Sequence, residues 1–284
     1  MSGAPDIAAP DLQALEAKVA KSSFYAAMKM MPPKGRAGMF AIYAFCRAVD
    51  DIADDQEGAR PQRAAGLDRW RRDLDALYAG GDPGQAAFLA QAVRDFDLEK
   101  DDFVAVIDGM AMDVAGDIVA PDAATLDLYC DRVASAVGRL SVKVFGMERA
   151  AGIALSHHLG RALQLTNILR DLDEDAGISR LYVSSDALAV AGIAVSDPAT
   201  VIADPRIDAA ARHIALEAQG HYAAADRIMA ASRRGDVRAP RLMRAAYGRI
   251  LDRMLAVGWA PPRRRVSLGK TEKLWVLVRY GLMR

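Results

Sequence analysis

The sequence predicts an all-α fold, and three observations carry that prediction. Ala, Leu, Met and Arg recur at helical spacing along almost the whole chain. Alternation of apolar and polar residues at period two is scarce. Helix breakers also fall at intervals that leave pieces of ordinary helix length. In chain order they are Pro32-Pro33, Gly80-Gly81 with Pro83, Pro121, Gly177, Pro198, Pro205, Pro240 and Pro261-Pro262, and about ten to twelve helices fit between them.

Residues 1–12 hold Asp6, Asp11 and two prolines where a signal peptide would need a basic stretch and then an apolar run, so a flexible N-terminus is expected there. Met28, Met30 and Met31 follow as an apolar patch near Phe24 that reads as core. The helix from Arg36 to Asp55 is unusual. Ala37, Met39, Phe40, Ile42, Ala44 and Phe45 lead into Asp50-Asp51-Ile52-Ala53-Asp54-Asp55, so an apolar helix ends in acids. A second such segment spans Leu155 to Asp175, where Leu159, Leu163, Ile168 and Leu169 lead into Asp171-Leu172-Asp173-Glu174-Asp175. The same segment holds His157 and His158, whose side chains should leave the helix about 100° apart and so not share a metal. The last stretch joins Arg263-Arg264-Arg265 to Leu274, Trp275, Val276, Leu277, Val278 and Leu282. It reads as a final helix packed on the others, or as a peripheral contact with an anionic bilayer surface.

No linker, repeat or low-complexity tract divides the chain, so its 284 residues, 52% of them apolar, are expected to form a single domain. No run of about 18 uncharged apolar residues suggests a membrane-spanning helix. Lys plus Arg and Asp plus Glu both number 37, so the chain has no general attraction for nucleic acid. Cys46 and Cys130 lack a metal-ligand spacing and suit free, packed thiols in a reducing cytoplasm, with the inner membrane face as the place for any peripheral contact.

Helical geometry gives the two acidic segments their meaning. At about 100° per residue, Tyr43, Arg47, Asp50 and Asp54 share one stripe. Gln164, Asn167, Asp171 and Asp175 share another, on a helix that is otherwise largely apolar. Like charges at i, i+4 weaken a helix by a few tenths of a kcal/mol, and acids at a helix C-terminus oppose the macrodipole by roughly 0.3 to 1 kcal/mol each. One such cluster alone would read as a solvated helix end. Two clusters of the same geometry, each continued by Arg47 or by Gln164 and Asn167, read better as the wall of a cavity. Unpaired polar groups in a core would cost about 1 to 3 kcal/mol each. Carboxylate and amide oxygens without His or Cys suit Mg²⁺ shared with phosphate oxygens, and Arg47 and Arg170 could contact the same phosphates. That is the donor set of a diphosphate-ionising site, with Phe24, Phe40, Tyr43 and Tyr129 as candidate walls around a carbocation.

At these residues the chain resembles the squalene and phytoene synthase family, whose aspartate motifs look like Asp50-x-x-x-Asp54 and Asp171-x-x-x-Asp175. The likeness continues through Ser23-Phe24-Tyr25, Tyr43-Ala44-Phe45-Cys46-Arg47, Tyr129-Cys130 to Val133 and Gly138, and Gln164-Leu165-Thr166-Asn167-Ile168-Leu169-Arg170-Asp171 to Arg180-Leu181-Tyr182. The wording from Phe40 to Asp54 and from Cys130 to Ser141 is most similar to the bacterial branch that makes presqualene diphosphate for hopanoids. Phytoene synthases acting on geranylgeranyl diphosphate and complete NADPH-dependent squalene synthases are the alternatives.

The resemblance implies a single-domain α-bundle with a central cavity, two farnesyl diphosphates, several Mg²⁺ ions and no NADPH, followed by separate enzymes that convert presqualene diphosphate. It implies that Asp50, Asp54, Asn167, Asp171 and Asp175 hold metal, while Arg47, Gln164, Arg170 and Arg180 hold diphosphates or order the metal ligands. Phe24, Tyr43, Val133, Gly138 and Tyr182 would complete the substrate site, with Tyr129 near the reacting carbons. One substrate would ionise, the double bond of the other would attack C1 of the cation, and loss of a proton would close a cyclopropane. Tyr129 and the released diphosphate both remain open as acceptors of that proton.

Overall fold

The computed structural model describes residues 28, 31–55, 58–276 and 279. Residues 1–12, Ser23, Phe24, Tyr25, Met30, Leu277, Val278 and Leu282, singled out above, lie outside the described residues. Among those described there are thirteen α-helices, one 3₁₀ turn and one π turn, and no strand. The only extended pairing among them is an isolated parallel bridge between Val119 and Leu181. The short helices α8 (Leu172–Gly177), α9 (Ser185–Val190) and α10 (Pro198–Ala203) are divided from one another by the breakers Gly177 and Pro198 and from the next helix by Pro205, whereas no breaker marks the start of α8.

The first half is built on α1 (Pro33–Ala53), α2 (Arg60–Ala79), α3 (Ala90–Phe96) and α4 (Lys100–Ala115). Pro33 opens α1 at the position where its missing N–H costs nothing. Phe45 of α1 meets Trp70 of α2 and Phe103 of α4 edge to face, with ring centroids 5.3 and 5.0 Å apart, a geometry that adds about 0.5 to 1.5 kcal/mol per pair beyond burial. The second half gathers around α7 (Arg149–Arg170), which packs on α11 (Ile207–Ala231) and α12 (Arg238–Val257). Leu155, Leu159, Leu165 and Ile168 of α7 belong to the same buried core as Ile214, Ala218 and Tyr222 of α11. Pro240, read above as a breaker between helices, sits in the first turn of α12.

A continuous run of three elements joins the halves: α5 (Ala123–Cys130), the π turn (Asp131–Ser135) and α6 (Ala136–Phe145). Val133 on the π turn packs against the apolar cores of both halves. The backbones approach so closely here that a side chain at Gly160 would force a shift and one at Gly138 would be tight. A Cβ on Gly160 would come within 2.7 Å of Ser135 Cα, and one on Gly138 within 3.1 Å of Ser156 Cα. Arg161 clasps the crossing from α7: Nε and Nη2 donate to the Asp127 carboxylate at 2.6 and 2.9 Å, and Nη1 donates to Asp131 at 3.2 Å.

Both cysteines are free thiols, and burial pushes Cys46 up to about 12, which fits a packing role. One expectation fails. His157 and His158 do come together, because both rings lean toward His221 of α11, a third partner that a reading of α7 alone leaves out.

Candidate active site

The last turns of α1 and α7 meet at one cavity on the seam between the two halves. Tyr43, Arg47 and Asp50 from α1 and Gln164 and Asn167 from α7 line one cavity of about 450 Å³. Its other walls are mostly apolar, among them Val106, Met110, Val133, Val137, Leu155 and Leu159, and Gly138 lies beside them. Five of the eight residues of the two expected stripes thus line this cavity, whereas Asp54, Asp171 and Asp175 are not among its lining residues.

The second stripe differs from expectation in one respect. The sequence predicts an unbroken helix from Leu155 to Asp175, whereas α7 ends at Arg170 and α8 begins at Leu172, with Asp171 between them at φ −105°, ψ 19°. The reason is a clasp between sequence neighbours. Arg170 donates to both oxygens of Asp171, at 2.7 and 2.5 Å, which adjacent side chains on a straight helix cannot do. Arg265 adds a third bond to Asp171 at 2.8 Å and lies 3.1 Å from Glu174. Arg263 pairs with Asp173 at 2.7 Å, so two arginines of the C-terminal basic run dock on the second motif. The amide of Asp175 still donates to the Asp171 carbonyl at 2.8 Å, keeping the two acids one helical turn apart.

Arg180 ties the motifs together. Its amide donates to the Asp175 carbonyl at 2.9 Å. Its guanidinium, 5% exposed, donates to Asp54 Oδ1 at 2.8 Å and to the Ala53 carbonyl at 3.1 Å. Behind it lies a residue that the sequence reading missed, Asp113 of α4, 4.0 Å from Arg180 Nε. Asp113 is buried and accepts from the hydroxyls of Tyr182 at 2.7 Å and Tyr129 at 3.0 Å. The two tyrosine rings stack at 4.9 Å. Tyr129, Tyr182 and Arg180 thus form a buried polar brace with Asp113 and are not lining residues of the cavity. A signal was there: Val106, Met110 and Asp113 share one stripe of α4, and the first two line the cavity.

The electrostatics match crowded acids. Burial first and the Asp54 carboxylate second push Asp50 up to about 6, although Arg47 donates to it at 2.6 Å and also pairs with Asp51. Burial and then Asp171 push Asp175 up to about 7, and Asp113 raises both. Burial, followed by the neighbouring Asp113 carboxylate, drives the Tyr129 phenol well above its usual value, so it stays neutral. Asn167 Oδ1 is buried without a hydrogen-bond partner. Crowded carboxylates and an orphan amide oxygen form an all-oxygen donor set that fits Mg²⁺ and does not suit a softer ion.

Comparison with known proteins gives the family. The family model for squalene/phytoene synthase matches residues 17–272. A presqualene diphosphate synthase from Zymomonas mobilis is 56% identical over 95% of this chain and 92% of that protein. One from Rhodopseudomonas palustris is 52% identical over 97% and 99%. The crystal structure of a dehydrosqualene synthase in complex with ligand shares the fold, with a TM-score of 0.80 at 24% identity over 95% of each chain. From the ends of α1 and α7 to the docked arginines, this chain belongs to the squalene/phytoene synthase family.

Proposed function

We propose that the chain acts as one domain that joins two farnesyl diphosphates head to head into presqualene diphosphate and releases diphosphate. The observation that carries this reading is that Arg180 bridges the two aspartate motifs, while Asp50 of the first and Asn167 of the second line one largely apolar cavity. The high identity to the two presqualene diphosphate synthases supports the choice of substrate and product.

In this reading Asp50, Asp54, Asn167, Asp171 and Asp175 hold Mg²⁺. The chemistry those ions supply is neutralisation of the charge that develops on the leaving diphosphate. Arg47 and Gln164 at the cavity wall bind and orient the diphosphates, and Arg170 and Arg180 fix the acids that hold the metal. The apolar walls keep water from the allylic cation, with Tyr43 turned to the same space. The cyclopropane-closing proton goes to an oxygen of the released diphosphate, because the Tyr129 phenol is neutral and already donates to Asp113. Tyr129 and Tyr182 are positioning residues that hold Asp113 against Arg180. Separate enzymes would then convert presqualene diphosphate. No described helix is long and apolar enough to cross a membrane. Trp275, 46% exposed and capped by Arg249 at 4.0 Å, supports a peripheral contact for delivering a lipid product.

Metal removal tests the reading. EDTA is expected to abolish consumption of farnesyl diphosphate and Mg²⁺ to restore it, with Zn²⁺ a poor substitute. The same ions should show in stability. The folded values of Asp50 and Asp175, about 6 and 7, lie above those of the unfolded chain, so between about pH 4 and 7 the folded protein binds more protons. Metal-free protein should therefore lose stability as pH rises through that window. Mg²⁺ binds the deprotonated acids, so its effect on Tm should be larger at pH 8 than at pH 6. Full activity without metal, or a Mg²⁺ effect on Tm independent of pH, would overturn the assignment.

A further inference from the structure

Three histidines outside the acid motifs have no part in this chemistry. His157 and His158 leave α7 together and meet His221 of α11. His158 Nδ1 and His221 Nδ1 are 3.0 Å apart, and one ring nitrogen from each of the three residues lies within 4.8 Å of the others. The ring centroids are 4.7 Å apart for His157 and His158, 5.8 Å for His157 and His221, and 5.2 Å for His158 and His221.

We infer that His157, His158 and His221 form a binding site for a divalent transition-metal ion, with Zn²⁺ as the natural probe, that staples α7 to α11. Nitrogens bound to zinc at about 2.0 to 2.1 Å and tetrahedral angles sit about 3.3 Å from one another, so the pair of Nδ1 atoms needs little movement to share an ion. Imidazole suits Zn²⁺, Cu²⁺ and Ni²⁺ and not Mg²⁺, which makes this site chemically separate from the all-oxygen donors at the other end of α7. His157 and Asn167 are ten residues apart on α7, about 15 Å along the helix axis.

The surroundings keep the imidazoles ready to bind. Arg161 lies beside them, its Nη1 3.4 Å from the His157 carbonyl, and its charge is taken up by Asp127 and Asp131. Burial, and then the other two histidines, push His221 down to about 4, and burial lowers the other two as well, so the rings are neutral at neutral pH, and the proton shared between the Nδ1 atoms of His158 and His221 moves to the far nitrogen of its ring when an ion takes its place. His157 is exposed, which provides an entry path and leaves a fourth position for water. Because α7 also carries Asn167 and Arg170, a metal at this point would fix the register of that helix against α11 in the folded state alone.

The test uses the full chain, stripped with EDTA, dialysed, and titrated with Zn²⁺ against a colorimetric chelator in excess Mg²⁺, which occupies the oxygen donors. The expected result is one Zn²⁺ per chain and a Tm that rises with Zn²⁺ concentration. His157→Gln, an exposed change that leaves the core intact, and His221→Gln should each weaken binding about tenfold or more while the helical signal is unchanged. Zn²⁺ uptake by the parent no stronger than by a His157→Gln/His221→Gln double variant would overturn the site. So would uptake that survives in that variant but is lost in Asp171→Ala. Both readouts are independent of turnover, so failure of this site and failure of the proposed reaction are told apart.

Discussion

Asp50→Ala, Asp54→Ala, Asp171→Ala and Asp175→Ala are each expected to cut turnover at least about a hundredfold, a loss of about 2.7 kcal/mol in the transition state. The folded protein should tolerate them. Asp50 and Asp54, like Asp171 and Asp175, repel each other one turn apart, and burial already pushes Asp50 and Asp175 toward their neutral forms. Removing one acid relieves repulsion in the free chain and removes metal neutralisation only when substrate is bound. Asp54 is the partial exception, because Arg180 donates to it, yet its side chain is 53% exposed and the Ala53 carbonyl still accepts from Arg180. Helical circular dichroism and Tm should stay near the parent for all four. Turnover within about threefold of the parent for any two of them would sink the metal assignment.

Asp113 should show the second-largest effect, through a different route. It does not line the cavity, but it accepts from two buried phenols and faces Arg180, which in turn holds Asp54. Burial outweighs those partners and raises the Asp113 carboxyl above its usual range, so its charge adds little to stability. Asp113→Asn keeps an acceptor oxygen for a phenol and is expected to cost only about 1 kcal/mol of unfolding free energy. Asp113→Ala strands both hydroxyls and should cost about 3 kcal/mol. Turnover should fall about tenfold or more in both, because Arg180 loses its counter-charge and the first motif its anchor. The Asn variant separates the explanations. A protein with parental turnover and near-parental Tm would mean that the brace only fills space.

How much of this was legible depends on what sets each feature. The stripe from Tyr43 to Asp54 is local: helical periodicity alone puts these residues on one face, and Tyr43, Arg47 and Asp50 line the cavity while Asp54 accepts from Arg180. The break at Asp171 was invisible because no Gly or Pro marks it. It is made by Arg170 turning onto its neighbour and by Arg265, which is distant in sequence. Arg180 could be tied to the first motif only through the family resemblance, since its partner Asp54 lies 126 residues away. Asp113 carried a usable signal but stood among other acids of α4, including Asp101, Asp102 and Asp108; Asp102 is buried as well, and only packing shows that it pairs with Arg139 while Asp113 faces Arg180 and the two tyrosines. The meeting of His157 and His158 with His221 was hidden for a related reason: the angle between neighbouring side chains limits what one helix can do, not what it can do with a partner helix.

The most direct test of the account is the product made by the purified chain. Farnesyl diphosphate and Mg²⁺ should yield presqualene diphosphate, identified by mass, and adding NADPH should change neither its amount nor its identity. Stoichiometric squalene on adding NADPH would contradict the proposed stopping point, and phytoene formed from geranylgeranyl diphosphate at a higher kcat/KM would contradict the proposed substrate.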